Sequence, residues 1–176
     1  MTLDQDFAIN HLVFWPEEEG RRPFWPQLSE FYVNFNMTTI EGSWFFTRGP
    51  EEEEDEEEDT DEDSDSSTVH CFRSIADAAL LDPLFAAAAQ AATQMPRLQC
   101  MELQTDVAVP RSFLFGMCFY APGRRGYPAP AKSDLEKPRL NWTVGHSGYI
   151  PQQSTVDIWK QSKSTHGELI STIWQR

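Results

Sequence analysis

Two stretches of the chain follow one pattern, Pro-x-Leu-x-x-apolar-x-apolar: Pro26-Gln27-Leu28-Ser29-Glu30-Phe31-Tyr32-Val33 and Pro96-Arg97-Leu98-Gln99-Cys100-Met101-Glu102-Leu103. They lie 70 residues apart. In the first, Phe31, Val33 and Phe35 recur with period two among β-formers, which predicts a strand over 28–36 with one buried face. In the second, Leu98, Met101 and Leu103 predict another strand. A helix is expected between them. Asp82-Pro83 offers an acidic N-cap followed by proline at the first helical position. The Ala-rich run beyond it meets no breaker until Pro96. Leu84, Phe85, Ala88, Ala92 and Met95 fall on one face of that helix, the face expected to dock on a sheet. Ser74-Ile75-Ala76-Asp77 has capping-box spacing and predicts a further helix start just upstream.

Further along, Phe113 to Tyr120 is apolar almost throughout, which predicts a strand buried on both faces. Pro122 to Pro138 holds four prolines and two glycines and reads as a long surface loop. Arg139 to Val144 predicts a strand carrying Trp142. Ser154-Thr155-Val156-Asp157 repeats the capping-box spacing and opens a short helix through Lys163, ended by Gly167. Leu169 to Trp174 predicts the last strand, with Leu169, Ser171 and Ile173 on one face. Pairing is expected to begin parallel and turn antiparallel toward the C-terminus, where 113–120 and 139–144 follow each other without a helix. Near the start, the apolar segment from Phe7 to Trp15 stops at Pro16. Trp44-Phe45-Phe46 is expected to pack beside the end of the first strand.

The 176 residues suffice for one domain. Their 28 acidic and 14 basic side chains give a net charge of -14. Thirteen of the acids lie between Glu51 and Asp65, so the remaining 15 are nearly balanced by the bases. The chain therefore has an ordinary globular composition interrupted at 50–68 by an acidic low-complexity insertion, which reads as a solvated loop. An apolar share of 40%, with 12 Phe and 6 Trp, can fill a core. This excludes overall disorder. The absence of an 18-residue apolar run argues against a membrane protein, and the charge against a basic nucleic-acid binder. Three cysteines without a CxxC pair and an acidic start without an apolar leader point to the cytoplasm or nucleus.

No constellation in the sequence carries chemistry. His70-Cys71 is the one adjacent His/Cys pair and lacks further ligands at metal-site spacing. Cys100 and Cys118 sit in apolar strands, where thiols are inert packing. There is no nucleophile elbow, phosphate loop or dinucleotide fingerprint. The expectation is no catalytic residue, no metal and no cofactor. Thr60, three residues before Asp63, suits an acidophilic kinase and is the one candidate modification site. Trp142, Trp159 and Trp174 fall in predicted regular elements and are expected in the core.

The two matched stretches read as the strand segment of a leucine-rich-repeat unit, in which the leucine turns inward and the next two apolar residues face the core. The run from Asp82-Pro83-Leu84-Phe85 through Met95-Pro96-Arg97-Leu98 resembles the C-terminal region of fungal F-box proteins with degenerate leucine-rich repeats. Phe24-Trp25-Pro26-Gln27-Leu28, Asn141-Trp142-Thr143-Val144 and Val156-Asp157-Ile158-Trp159-Lys160 are similar as well. The resemblance covers about residues 22–174. It implies a mixed α/β domain over 1–176, a short leucine-rich-repeat-like layered sheet with helices on one side. It implies a non-catalytic protein-interaction role, substrate recognition in an F-box type ubiquitin ligase. The alternative is a free-standing interaction or effector-like protein unconnected to ubiquitin. The F-box that binds a Skp-type adaptor is absent from this sequence, so the chain by itself is expected not to hold that adaptor. The expected partner is a protein, neither nucleic acid nor membrane.

Overall fold

The computed structural model describes residues 2–14, 23–49, 73–107, 113–127, 129–163 and 168–175, with side chains from residue 8 onward. Its elements are β1 (Thr2–Phe7), β2 (Glu30–Phe35), β3 (Phe46–Arg48), β4 (Arg73–Ala76), α1 (Ala78–Thr93), β5 (Cys100–Val107), β6 (Phe113–Tyr120), β7 (Arg139–Thr143), α2 (Gln153–Lys163) and β8 (Ile170–Trp174). Six strands form one mixed sheet in chain order, β1-β2-β5-β6-β7-β8. β3 and β4 pair separately.

The matched stretches lie side by side. β2 and β5 are parallel, with Glu30 opposite Cys100, Phe31 opposite Met101 and Val33 opposite Leu103. Each rung joins residue i to residue i+70, the offset of the sequence pattern. The match extends below the strands: Gln99 and Cys100 donate to the Ser29 carbonyl, and Arg97 reaches the Gln27 side chain at 2.7 Å.

Alternation along the strands sorts the sheet into two faces. One carries Val33, Leu103, Met117 and Trp142 in a row, and Phe31, Met101, Phe119 and Leu140 in the next. Both helices cover that face. Phe85 of α1 meets Trp142 edge-on at 5.1 Å, and Trp159 of α2 stacks on Phe119 at 5.0 Å. Topology accounts for this. The β2→β5 and β7→β8 crossovers both join parallel strands and advance across the sheet in the same sense, and right-handed crossovers of that kind put their helices on one face.

Several expectations need correction. α1 starts at Ala78, with Asp77 as N-cap accepting from the Ala79 N–H at 2.9 Å. Asp82-Pro83 is no cap: Pro83 lies inside the helix, where its missing N–H leaves only the carbonyl of exposed Ala79 to water. Ser74 opens no helix, because Arg73–Ala76 pairs with Phe46–Arg48 as a strand. Ser154 likewise lies inside α2, which starts at Gln153. α1 buries more than the anticipated stripe, adding Leu81, Ala87, Ala89 and Ala91, because α2 and the short 3-10 turn at His11–Val13 pack on its other sides. Pairing turns antiparallel from β5 to β7 as expected but ends parallel, since α2 carries the chain back before β8. β1 went unread in the sequence; it extends the sheet beside β2. The acidic insertion and Gly167 lie outside the described residues.

β6 is buried on both faces from Phe115 onward, as its apolar run predicts. At its centre Gly116 has φ +151, and a Cβ there would stand 2.0 Å from the Leu103 carbonyl oxygen, so no side chain fits.

Two tests follow from this packing. Leu98 and Leu103 are both buried in the core that holds the alanines of α1. Leu103→Ala should destabilise the protein by about 2–5 kcal/mol in denaturant unfolding, the range for emptying a core site; a change near zero would contradict the placement. Phe46 opposite Ala76 brings both ends of the intervening segment together at one pair of strands. Deleting Glu51 to Asp65 should therefore leave the melting temperature unchanged or slightly raised at low salt, since 13 like charges go and no described contact is lost.

Candidate functional site

The sheet face away from the helices is polar at its centre. Strand parity puts Glu30, Tyr32, Cys100, Glu102, Gln104, Cys118, Tyr120, Arg139 and Asn141 there. Glu102 gathers the nearest groups: it accepts from the Tyr120 hydroxyl at 2.9 Å and from the Cys100 thiol at 3.5 Å. Gln104 donates to Cys118 Sγ at 3.0 Å. Arg139 lies with its guanidinium over the Tyr120 ring and donates to the Arg124 carbonyl. The segment from Ala121 to Tyr127 closes over this end of the face: the Tyr127 N–H donates to the Tyr120 hydroxyl, and Asn141 reaches the Tyr127 carbonyl.

This environment holds the thiols protonated. Burial pushes both Cys100 and Cys118 up to about 12, with the Glu102 charge adding to the effect. Tyr32, bonded to Cys100, is raised to about 12, and burial raises Tyr120 as well. Arg139 is shifted down by its own burial, and its Nε and Nη1 find no partner among the described residues. A nucleophilic thiol needs the opposite surroundings, a nearby cation or base that favours the thiolate.

Beside this face, where the matched stretches enter their strands, the surface opens into a cleft of about 1220 Å³. Gln27 and Ser29 from one stretch, and Pro96 to Gln99 from the other, form one side; Ala121 to Arg124, Pro138 and Lys163 are among the residues opposite. Among the described residues three cations line it and no carboxylate does. Two of the cations are already engaged. Lys163 donates to the Ala92 and Met95 carbonyls at 2.7 and 3.1 Å, capping the C-terminal end of α1 where the helix dipole is negative. Burial lowers its amine to about 8. Arg124 pairs with Glu30. Arg97 is exposed and touches Gln27.

The candidates from sequence meet different fates. Cys100 and Cys118 are packed thiols, as expected. Trp142 and Trp159 are fully buried, whereas Trp174 is half-buried on the opposite face of the sheet, in the edge strand. His70, Cys71 and Thr60 lie outside the described residues. Among those described, no three His, Cys, Asp or Glu side chains gather as metal ligands, and no helix is long and apolar enough to cross a membrane. Arg139 and Asn141 went unread, although their alternation with Leu140 and Trp142 is a signal for a polar face. Asp82 was misassigned as a cap. It instead accepts from the Tyr149 hydroxyl and the Gln152 amide, tying the approach to α2 onto α1, and no local signal announces so distant a pair.

No family model, no curated protein and no solved structure matches this chain.

The thiol environment gives a direct test. At pH 8 iodoacetamide should leave Cys100 and Cys118 unmodified in the native protein and label both after denaturation, read by peptide mass mapping. Because their folded values are raised, their contribution to stability is complete below the ordinary thiol range and is lost as pH climbs toward 12. Fast native labelling at either position would refute the burial argument.

Proposed function

We propose that the chain is a non-catalytic protein-interaction domain that grips an acidic segment of a partner in the cleft framed by its matched stretches. The cleft carries the reading: a basic lining on a chain of net charge -14, built from backbone held in register by β2 and β5. The buried thiols of the adjoining face favour binding over chemistry. With Lys163 and Arg124 largely compensated, Arg97 is the main source of attraction. Exposed ion pairs contribute only about 0.2–1 kcal/mol each, so capture is weak and salt-sensitive, with shape supplying the rest.

The in-register offset of 70 and the two helices on one face support a leucine-rich-repeat-like reading of the architecture. The reversed β6 departs from a regular repeat array. The resemblance to the repeat region of fungal F-box proteins supplies the context, in which the gripped segment belongs to a ubiquitination substrate. A free-standing interaction protein would use the same cleft.

A fluorescein-labelled Asp/Glu-rich peptide titrated with the protein tests this by anisotropy. Binding should weaken with salt and fall about three- to tenfold in Arg97→Glu, an exposed position whose loss leaves the core intact. Binding unchanged in Arg97→Glu, or no binding at low salt, would sink the proposal. In parallel, an immobilised Skp-type adaptor should not retain the chain; salt-resistant retention would move the interaction site elsewhere.

A further inference from the structure

The sheet ends in two edge strands, β1 and β8. In sequence, β1 carries Asp4 and Asp6, charges of the kind that discourage strand addition. β8 is different. Leu169-Ile170-Ser171-Thr172-Ile173-Trp174 holds no charge and no proline and is rich in β-formers. Ile170 donates to the Pro138 carbonyl and Trp174 accepts from the Val144 N–H. With period two, Ile170, Thr172 and Trp174 turn their backbone groups to β7, and Ser171 and Ile173 turn theirs outward. Both outward residues are exposed, Ile173 at 46%. No described strand lies beyond them, and the Trp174 indole N–H at this edge has no partner among the described residues.

We propose that β8 is a homodimerisation edge, two copies pairing antiparallel about a two-fold axis at Thr172. The strand is self-complementary in that register. Ser171 faces Ile173 of the second copy, and both are outward residues able to exchange N–H···O bonds in each direction. Ile170 faces Trp174, a β-branched and aromatic pair on one side of the joined sheet. Thr172 faces itself. In sequence, Glu168 and Arg176 stand equally far from Thr172, so opposite charges bracket the contact. The arrangement is isologous and closed, because pairing consumes the β8 edge and leaves the charged β1 edges outermost. Each copy brings a net charge of -14, so repulsion opposes the contact at low salt. Salt therefore strengthens this association, the reverse of its effect on the cleft.

Sedimentation equilibrium of the full chain, across protein concentration at low and high salt, tests the proposal. A two-chain mass that grows with salt is expected, and Ile173→Lys, at an exposed position, should return the protein to one chain with its circular dichroism unchanged. Thr172→Cys tests the register. Directly opposed Cβ atoms lie about 4.5–5.5 Å apart, near disulfide reach, so mild oxidation should link two chains. Adding Ile173→Lys should abolish the link, and Asn34→Cys, exposed on β2, should form none. A single-chain mass under every condition, a dimer indifferent to Ile173→Lys, or equal cross-linking through Asn34→Cys would each overturn it.

Discussion

The parallel pairing of β2 with β5 is the constraint on which the rest of the molecule depends. It sets Val33 beside Leu103 and Phe31 beside Met101, and those rows continue across β6 and β7 to Met117, Trp142, Phe119 and Leu140. A slip of one residue would send each of these side chains to the polar face and Glu102 into the core. The same register fixes the stretches that precede the strands, and through them the Gln27–Arg97 contact and one wall of the cleft. Core and candidate site thus share one determinant.

α1 converts that pairing into a closed layer. A parallel connection requires a crossover, and this one is packed with alanines that are wholly buried at Ala88, Ala89, Ala91 and Ala92. Small side chains let the helix settle close to the sheet on one side and to α2 on another. Lys163 then fastens the end of α2 to the Ala92 carbonyl in the last turn of α1 and to the Met95 carbonyl just past it, and so brings a cation to the rim of the cleft.

How much of this was written in the sequence follows from the range of each interaction. Period-two alternation exposed β2 and the two faces of β8, and the apolar run exposed β6, because those signals are local. The offset of 70 marked two like strand segments, and the structure adds that they pair. Helix starts were misplaced because capping is decided by where the backbone turns: Asp77 caps, while Asp82, with its better-looking proline, serves Tyr149. The strand at Arg73–Ala76 could not be read, since its partner at Phe46–Arg48 lies across the acidic segment. The cleft was invisible for a related reason. Its cations, at 97, 124 and 163, come from three separate parts of the chain, and none sits in a motif.

The sheet's mixture of near and distant pairings also bears on the order in which it assembles. β5 and β6 meet across a short connection, with Val107 opposite Phe113, and β7 follows as the third strand of an antiparallel meander. β2 must find β5 across 70 residues that hold the acidic segment, β3, β4 and α1. Loop closure grows slowly with length, about 0.6 kcal/mol per doubling, but it must be met before any non-local rung repays it. Near contacts therefore favour the meander and α1 over the β2 rungs in the order of assembly. On that kinetic view the template is β5, its earlier-made twin in the chain docks after it, and β1 can follow only onto β2.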